Sequence, residues 1–155
     1  MSVEAFLDTN VLVYAVSSAP EELAKKERAL ELIQRADFGL SAQVLQEFYV
    51  NVTRKIADPL EPGVAVELLD QFRQFPLVQT DYPLIVAGAE VALRFGILYW
   101  DGAIVAAAER LGATILYSED LGHDQRYGSV RVVDPFRGGW PDGVHDARSR
   151  VYGGL

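Results

Sequence analysis

The chain has 155 residues, half of them hydrophobic, with fourteen basic against twenty-two acidic side chains and a net charge of −8; this suits one domain that buries roughly two-thirds of its unfolded surface. The lack of cysteine excludes disulfides, thiolate nucleophiles, zinc–thiolate sites and iron–sulfur clusters, and makes a cytoplasmic location the expectation. MSVEAFLDTN is too polar for a secretory signal and no apolar run approaches the ~18 residues of a membrane span, while the acidic balance opposes the basic footprint of a nucleic-acid binder unless bound cations reverse the local potential.

Val3 to Leu7 predicts a first strand ending at Asp8, and TNVLVYAVS a short helix after it. EELAKKERALELIQRA after Pro20 predicts a longer amphipathic helix, with Leu23, Ala24, Leu30 and Ile33 inward and Lys25, Lys26, Glu27 and Arg28 outward. Phe38 to Leu40 is a minimal second strand. Ser41 then caps a helix through Lys55, whose apolar stripe is Val44, Leu45, Phe48 and Val52. Pro62 opens a helix, Leu77 to Thr80 is a third strand, and YPLIVAGAEVALRFG is a helix stopped by Gly96. Asp101 begins an alanine-rich helix ending near Gly112, ATILYS is a fourth strand and SVRVVDP a fifth. Strand alternating with helix implies an α/β fold, a parallel sheet covered on both faces.

Four acids stand where these elements meet, amid apolar runs: Asp8, Glu47, Asp101 and Asp120. Taken singly, Asp8 and Asp101 are adequate helix caps or dipole partners, Glu47 a solvated helix residue and Asp120 a turn residue. Taken together they point elsewhere. Ligands collect beyond the carboxyl ends of parallel strands, and carboxylates that converge there repel one another unless a cation compensates them. One pocket with a metal ion accounts for all four.

The run Asp8-Thr9-Asn10 after a strand, Glu47 in a helix that follows a serine, Trp100-Asp101 opening an alanine-rich helix, Tyr117-Ser118-Glu119-Asp120-Leu121 after a strand and the ending Val132-Val133-Asp134-Pro135-Phe136 resemble the PIN domain, in particular the VapC-type toxins of toxin–antitoxin systems. The resemblance spans residue 3 to about 137; a PIN-like domain over 1–137 leaves 138–155 as a C-terminal tail. It implies a three-layer α/β/α fold with a five-stranded parallel sheet, a Mg²⁺- or Mn²⁺-dependent endoribonuclease site, a homodimer and a cognate antitoxin that blocks the site. Carried over by position, the acidic constellation falls on Asp8, Glu47, Asp101 and Asp120. Asn10 matches a polar position that orients the first acid, Ser118 one beside the last. Asp124 is a candidate further acid, read as solvated. Asp8, Asp101 and Asp120 are the expected metal ligands, with Glu47 either a ligand or the base that orients water, and one or two ions both compatible. Such a site leaves 5′-phosphate and 3′-hydroxyl ends on the RNA.

Arg54 and Lys55 either meet a phosphate backbone or form a solvated face. Tyr14, Phe48, Tyr49, Phe72, Phe75, Tyr82 and Phe95 read as core or subunit interface rather than base-stacking surface. Other chemistries lack their residues. No glycine-rich dinucleotide loop follows the first strand and no P-loop occurs; position 10 is asparagine where a dehalogenase-like phosphatase needs aspartate; and His123 and His145 do not make the pair of a metal-free ribonuclease. The competing readings are a PIN nuclease in RNA processing without a toxin role, and a non-catalytic acidic module that binds a cation or RNA.

Overall fold

A computed structural model describes residues 3–137. Strand β1 (Ala5–Leu7) runs into helix α1 (Thr9–Ala15), and a 3-10 turn at Pro20–Glu22 leads to α2 (Leu23–Arg35). Then follow β2 (Phe38–Ser41), α3 (Ala42–Val50), α4 (Pro62–Phe72), β3 (Leu77–Val78), α5 (Tyr82–Phe95), α6 (Tyr99–Arg110), β4 (Ile115–Tyr117), β5 (Arg126–Tyr127) and β6 (Val130–Val133). The tail, with Arg148 and Arg150 as its candidate RNA contacts, lies outside the described residues.

The strands form one sheet in the order β3-β2-β1-β4-β6-β5. Five are mutually parallel, as the alternation of strands and helices predicts. The sixth, β5, is a two-residue edge strand antiparallel to β6 that the predicted five-stranded sheet omits. A tight turn through Gly128, at φ +63°, folds β5 back on β6; two residues are too short for an alternation to register. From β1 the chain steps outward to β2 and β3 on one side and then returns to place β4 on the other. β1 and β4 therefore flank the topological switch point, where an open α/β sheet forms its crevice.

Strands β1 and β2 are buried throughout, as expected of a sheet covered on both faces. Along α3 and the turn that continues it, Val44, Phe48 and Val52 recur every four residues and are fully buried, and Phe48 meets Phe72 of α4 edge to face at 5.3 Å. Ser41 caps this helix as predicted, its Oγ accepting from the Val44 amide. The regular helix ends at Val50, and Asn51–Lys55 continue as a π-helical turn. Two side chains account for the widening: Asn51 Nδ2 donates to the Glu47 carbonyl at 2.8 Å and Thr53 Oγ1 to the Tyr49 carbonyl at 2.6 Å, competing with the backbone for its acceptors.

The inward face of α2 differs from the predicted one. Ala29 and Leu32 are buried, whereas Leu23 is 56% exposed and Leu30 is at the surface. Apolar residues occur on more than one side of this helix, so its pattern leaves the rotation open and packing against α1 selects it. Helix α6 is buried from Gly102 through Ala108, because the small side chains let α5 approach its backbone. A methyl group on Gly88 would lie 2.9 Å from Ala103 Cα, and one on Gly102 would collide with the Gly88 carbonyl oxygen. Both clashes involve backbone, so neither is relieved by a rotamer change. Gly102→Val is expected to lower stability by about 3 kcal/mol or more; an unchanged urea midpoint in chemical denaturation would show that the helices separate without penalty.

Candidate active site

Asp8 is the first residue beyond β1, and its amide donates to the Tyr117 carbonyl of the neighbouring strand β4 at 3.0 Å. It caps α1, accepting from the Thr9 amide at 2.7 Å. It also faces the crevice. Its other oxygen accepts from Ser118 Oγ at 2.7 Å. Only 7% of the residue is exposed, and burial pushes its carboxyl from 3.8 up to about 6, against the pull of those two hydrogen bonds and with a further push from the charges of Asp120 and Glu47.

Asp101 enters the same space from the first turn of α6. The helix begins two residues before it, with Leu98 at the cap, so Asp101 does not cap the helix as its sequence position suggests. Among the described residues no group donates a hydrogen bond to its carboxylate. Partial burial raises its pKa, and Asp120 and Glu47 raise it further. Glu47 projects from α3 and is held at both oxygens: Oε2 accepts from Thr9 Oγ1 at 2.7 Å and Oε1 from Gln43 Nε2 at 3.1 Å. Asp120, exposed after β4, accepts from Asn10 Nδ2 at 3.1 Å. Its neighbour Glu119 turns the other way, to Lys25 Nζ at 3.0 Å and the Tyr14 hydroxyl at 3.2 Å.

The polar supports are crossed relative to the expectation. Asn10, two residues after the first acid, holds the last one. Ser118, beside the last acid, holds the first and also accepts from the Asp120 amide at 3.2 Å. Parallel pairing of β1 with β4 sets Leu7 opposite Tyr117, so the residues just past each strand end become neighbours. Two supports of Glu47, Thr9 and Gln43, went unrecognised in the sequence. Thr9 stands inside Asp8-Thr9-Asn10 and Gln43 lies one turn before Glu47, an i to i+4 spacing that was the available signal.

All four acids line one cleft of about 800 Å³, together with Asn10, Gln43, Asn51, Lys55 and Trp100. Arg54 is exposed on the same π-helical turn but does not line it. Asp124 is outside as well, in a left-handed conformation (φ 66°) and paired with Arg131 at 2.8 Å. Every hydrogen bond received by Asp8, Glu47 and Asp120 among the described residues comes from an uncharged donor. Hard carboxylate oxygens whose charges push up the pKa of Asp8 and Asp101, and which have no cationic partner among the described residues, are the donor set a divalent ion takes. Among the described residues no three His, Cys, Asp or Glu side chains close around a single point.

A family model of the PIN domain matches residues 5–128. The chain belongs to the PIN domain family. Curated protein sequences give no match. Solved structures share this PIN fold at low identity. The Mycobacterium tuberculosis toxin VapC20, described as cleaving the sarcin–ricin loop, superposes with a TM-score of 0.61 at 17% identity over 76% of this chain and 90% of that one. A toxin–antitoxin complex from Klebsiella pneumoniae gives 0.64 at 14% identity, over 85% and 98%, and FitAB bound to a DNA fragment gives 0.61 at 23%, over 86% and 96%. At these identities the likeness is one of fold. No single helix of the described residues is long and apolar enough to cross a membrane.

Proposed function

We propose that this PIN domain is a Mg²⁺- or Mn²⁺-dependent endoribonuclease and the toxin of a toxin–antitoxin pair, acting in the cytoplasm as a homodimer. The observation that carries the nuclease reading is the convergence of Asp8, Glu47, Asp101 and Asp120 on one cleft at the sheet's switch point, with uncharged donors only on those that are hydrogen-bonded. The toxin role and the antitoxin partner draw support from the company the fold keeps among toxins and toxin–antitoxin complexes, and the dimer is what the family resemblance implies. Exposed apolar side chains on α5, Ile85, Val86 and Leu93, offer surface for such partners.

Asp8, Asp101 and Asp120 would hold the ion, one or two of them directly and the rest through its waters, Asp101 with a carboxylate that accepts no hydrogen bond from the described residues. When bound, a divalent cation neutralises phosphodiester charge and makes water a better nucleophile. Glu47, fixed by Thr9 and Gln43, is oriented either to complete the ligand set or to accept the proton of the attacking water. The water oxygen joins phosphorus as the bond to the 3′ oxygen breaks, leaving 5′-phosphate and 3′-hydroxyl ends. Lys55, on the cleft wall, meets the RNA backbone, and Arg54 beside it extends the basic edge.

Incubating the purified chain with RNA in Mg²⁺, Mn²⁺ or a chelator tests this directly. Cleavage with 5′-phosphate ends that stops on chelation is expected. Cyclic phosphate ends, or undiminished activity in the chelator, would remove the metal-dependent reading. Expression without a partner should slow growth; an active nuclease that leaves growth untouched would place the protein in RNA processing instead.

A further inference from the structure

We propose that Trp100 is the nucleobase platform of the cleft, its ring stacking on an unpaired base next to the phosphate held at the acids. This role rests on the nuclease reading above. Trp100 is one of two tryptophans in the chain and is 64% exposed, although burying such a side chain is ordinarily favourable. It lies in the first turn of α6, immediately before Asp101, and lines the acidic cleft itself. Its position relative to the acids is fixed through the backbone. Gln43 Nε2 donates both to the Trp100 carbonyl at 3.2 Å and to Glu47 Oε1 at 3.1 Å, so α3 and α6 are tied together at this point. The edge-to-face contact with Tyr99, 5.0 Å between centroids, braces the ring.

Trp100 also forms the rim between the cleft and a smaller, mainly apolar recess whose polar lining residues include Gln43, Gln46 and Thr80. The recess offers about 60 Å³, room for roughly two waters, too little to enclose a base. A base leaving the cleft therefore lies on the ring, with its edge toward the side chains of Gln46 and Thr80. Stacking tolerates any base, and the amide and hydroxyl at the edge add preference. It also requires an unpaired strand, because a base inside a duplex has both faces covered. An exposed aromatic ring beside a phosphate site, with Lys55 on the same cleft wall, has the chemistry of a single-strand binding groove.

Two readouts test the platform. In a Trp140→Phe protein Trp100 is the sole tryptophan, and titration with a short single-stranded oligoribonucleotide in Ca²⁺ is expected to quench its fluorescence to saturation, while an abasic strand of equal length does not. In Mg²⁺, Trp100→Ala should raise KM for the same strand by roughly 10-fold or more with kcat little changed, and Trp100→Phe should restore most of the loss. Equal quenching by the abasic strand, or none by either, overturns the platform. So does a KM unmoved in Trp100→Ala while the wild type cleaves, and if that variant instead changes the oligomeric state, the ring belongs to a protein interface. Failure of the wild type to cleave any RNA brings down the nuclease reading alone, and the quench still decides the platform.

Discussion

Asp101→Asn is expected to reduce RNA cleavage by roughly 1,000-fold or more while leaving the fold intact. The two halves of that result have separate causes. Asp101 accepts no hydrogen bond from the described residues and is only partly buried, so an isosteric amide removes no protein contact. Thermal melting should be unchanged or slightly higher, since the charges of Asp120 and Glu47 work against the ionised Asp101. Activity is another matter: an amide oxygen without the negative charge is a poor substitute in holding a divalent ion. Groups that merely support a metal ligand account for ~10–100-fold, and loss of a ligand should exceed that. Cleavage assays beside melting curves check both halves, and a variant that cuts within tenfold of wild type would remove Asp101 from the site.

Asp8→Asn should change stability in a way that depends on pH and reverses with metal. Burial lifts the folded-state pKa of Asp8 from 3.8 to about 6, so the folded protein binds this proton more tightly than the unfolded chain. Below about pH 4 the group is protonated in both states and contributes no difference. Between pH 4 and 6 the unfolded chain ionises first, and stability falls as pH rises. Above pH 6 the full penalty remains, about 3 kcal/mol for a shift of roughly two units. Asparagine has no such proton. Without metal, the stability of the variant relative to wild type should therefore grow by about that amount from pH 4 to pH 7, whatever constant offset the altered hydrogen bonds to Ser118 and Thr9 introduce. Saturating Mn²⁺ should favour the wild type instead, because a ligand that binds only the folded state stabilises it. Denaturation across this pH range tests the claim; a difference that stays flat from pH 4 to 7 would refute it.

The acids were legible as a group because local chemistry marks the place of each: Asp8 after an apolar strand, Asp101 ahead of an alanine-rich run, Glu47 within the helix that Ser41 caps, Asp120 in a turn. Their supports were less so. Ser118 and Asn10 are polar residues near acids, and sequence proximity assigns each to the nearer one. The folded chain does the opposite, over separations of 110 residues in each case. The unequal character of the acids was hidden as well. Asp8 is buried and doubly bonded, Asp101 accepts no hydrogen bond from the described residues, and Asp120 is exposed, differences set by what packs around them.

The sequence by itself determined the alternation of strand and helix, the cap at Ser41 and the helix stop at Gly96, whose φ of +65° suits glycine. These depend on residues within a turn or two of one another, and short-range chemistry is written in spacing. Tertiary structure alone decided that β4 returns beside β1, that α2 buries Ala29 and Leu32 rather than Leu23 and Leu30, and that Ser118 serves Asp8 while Asn10 serves Asp120. Those outcomes follow from strand register and from which helix packs on which, pairings between residues far apart in the chain that no local pattern specifies.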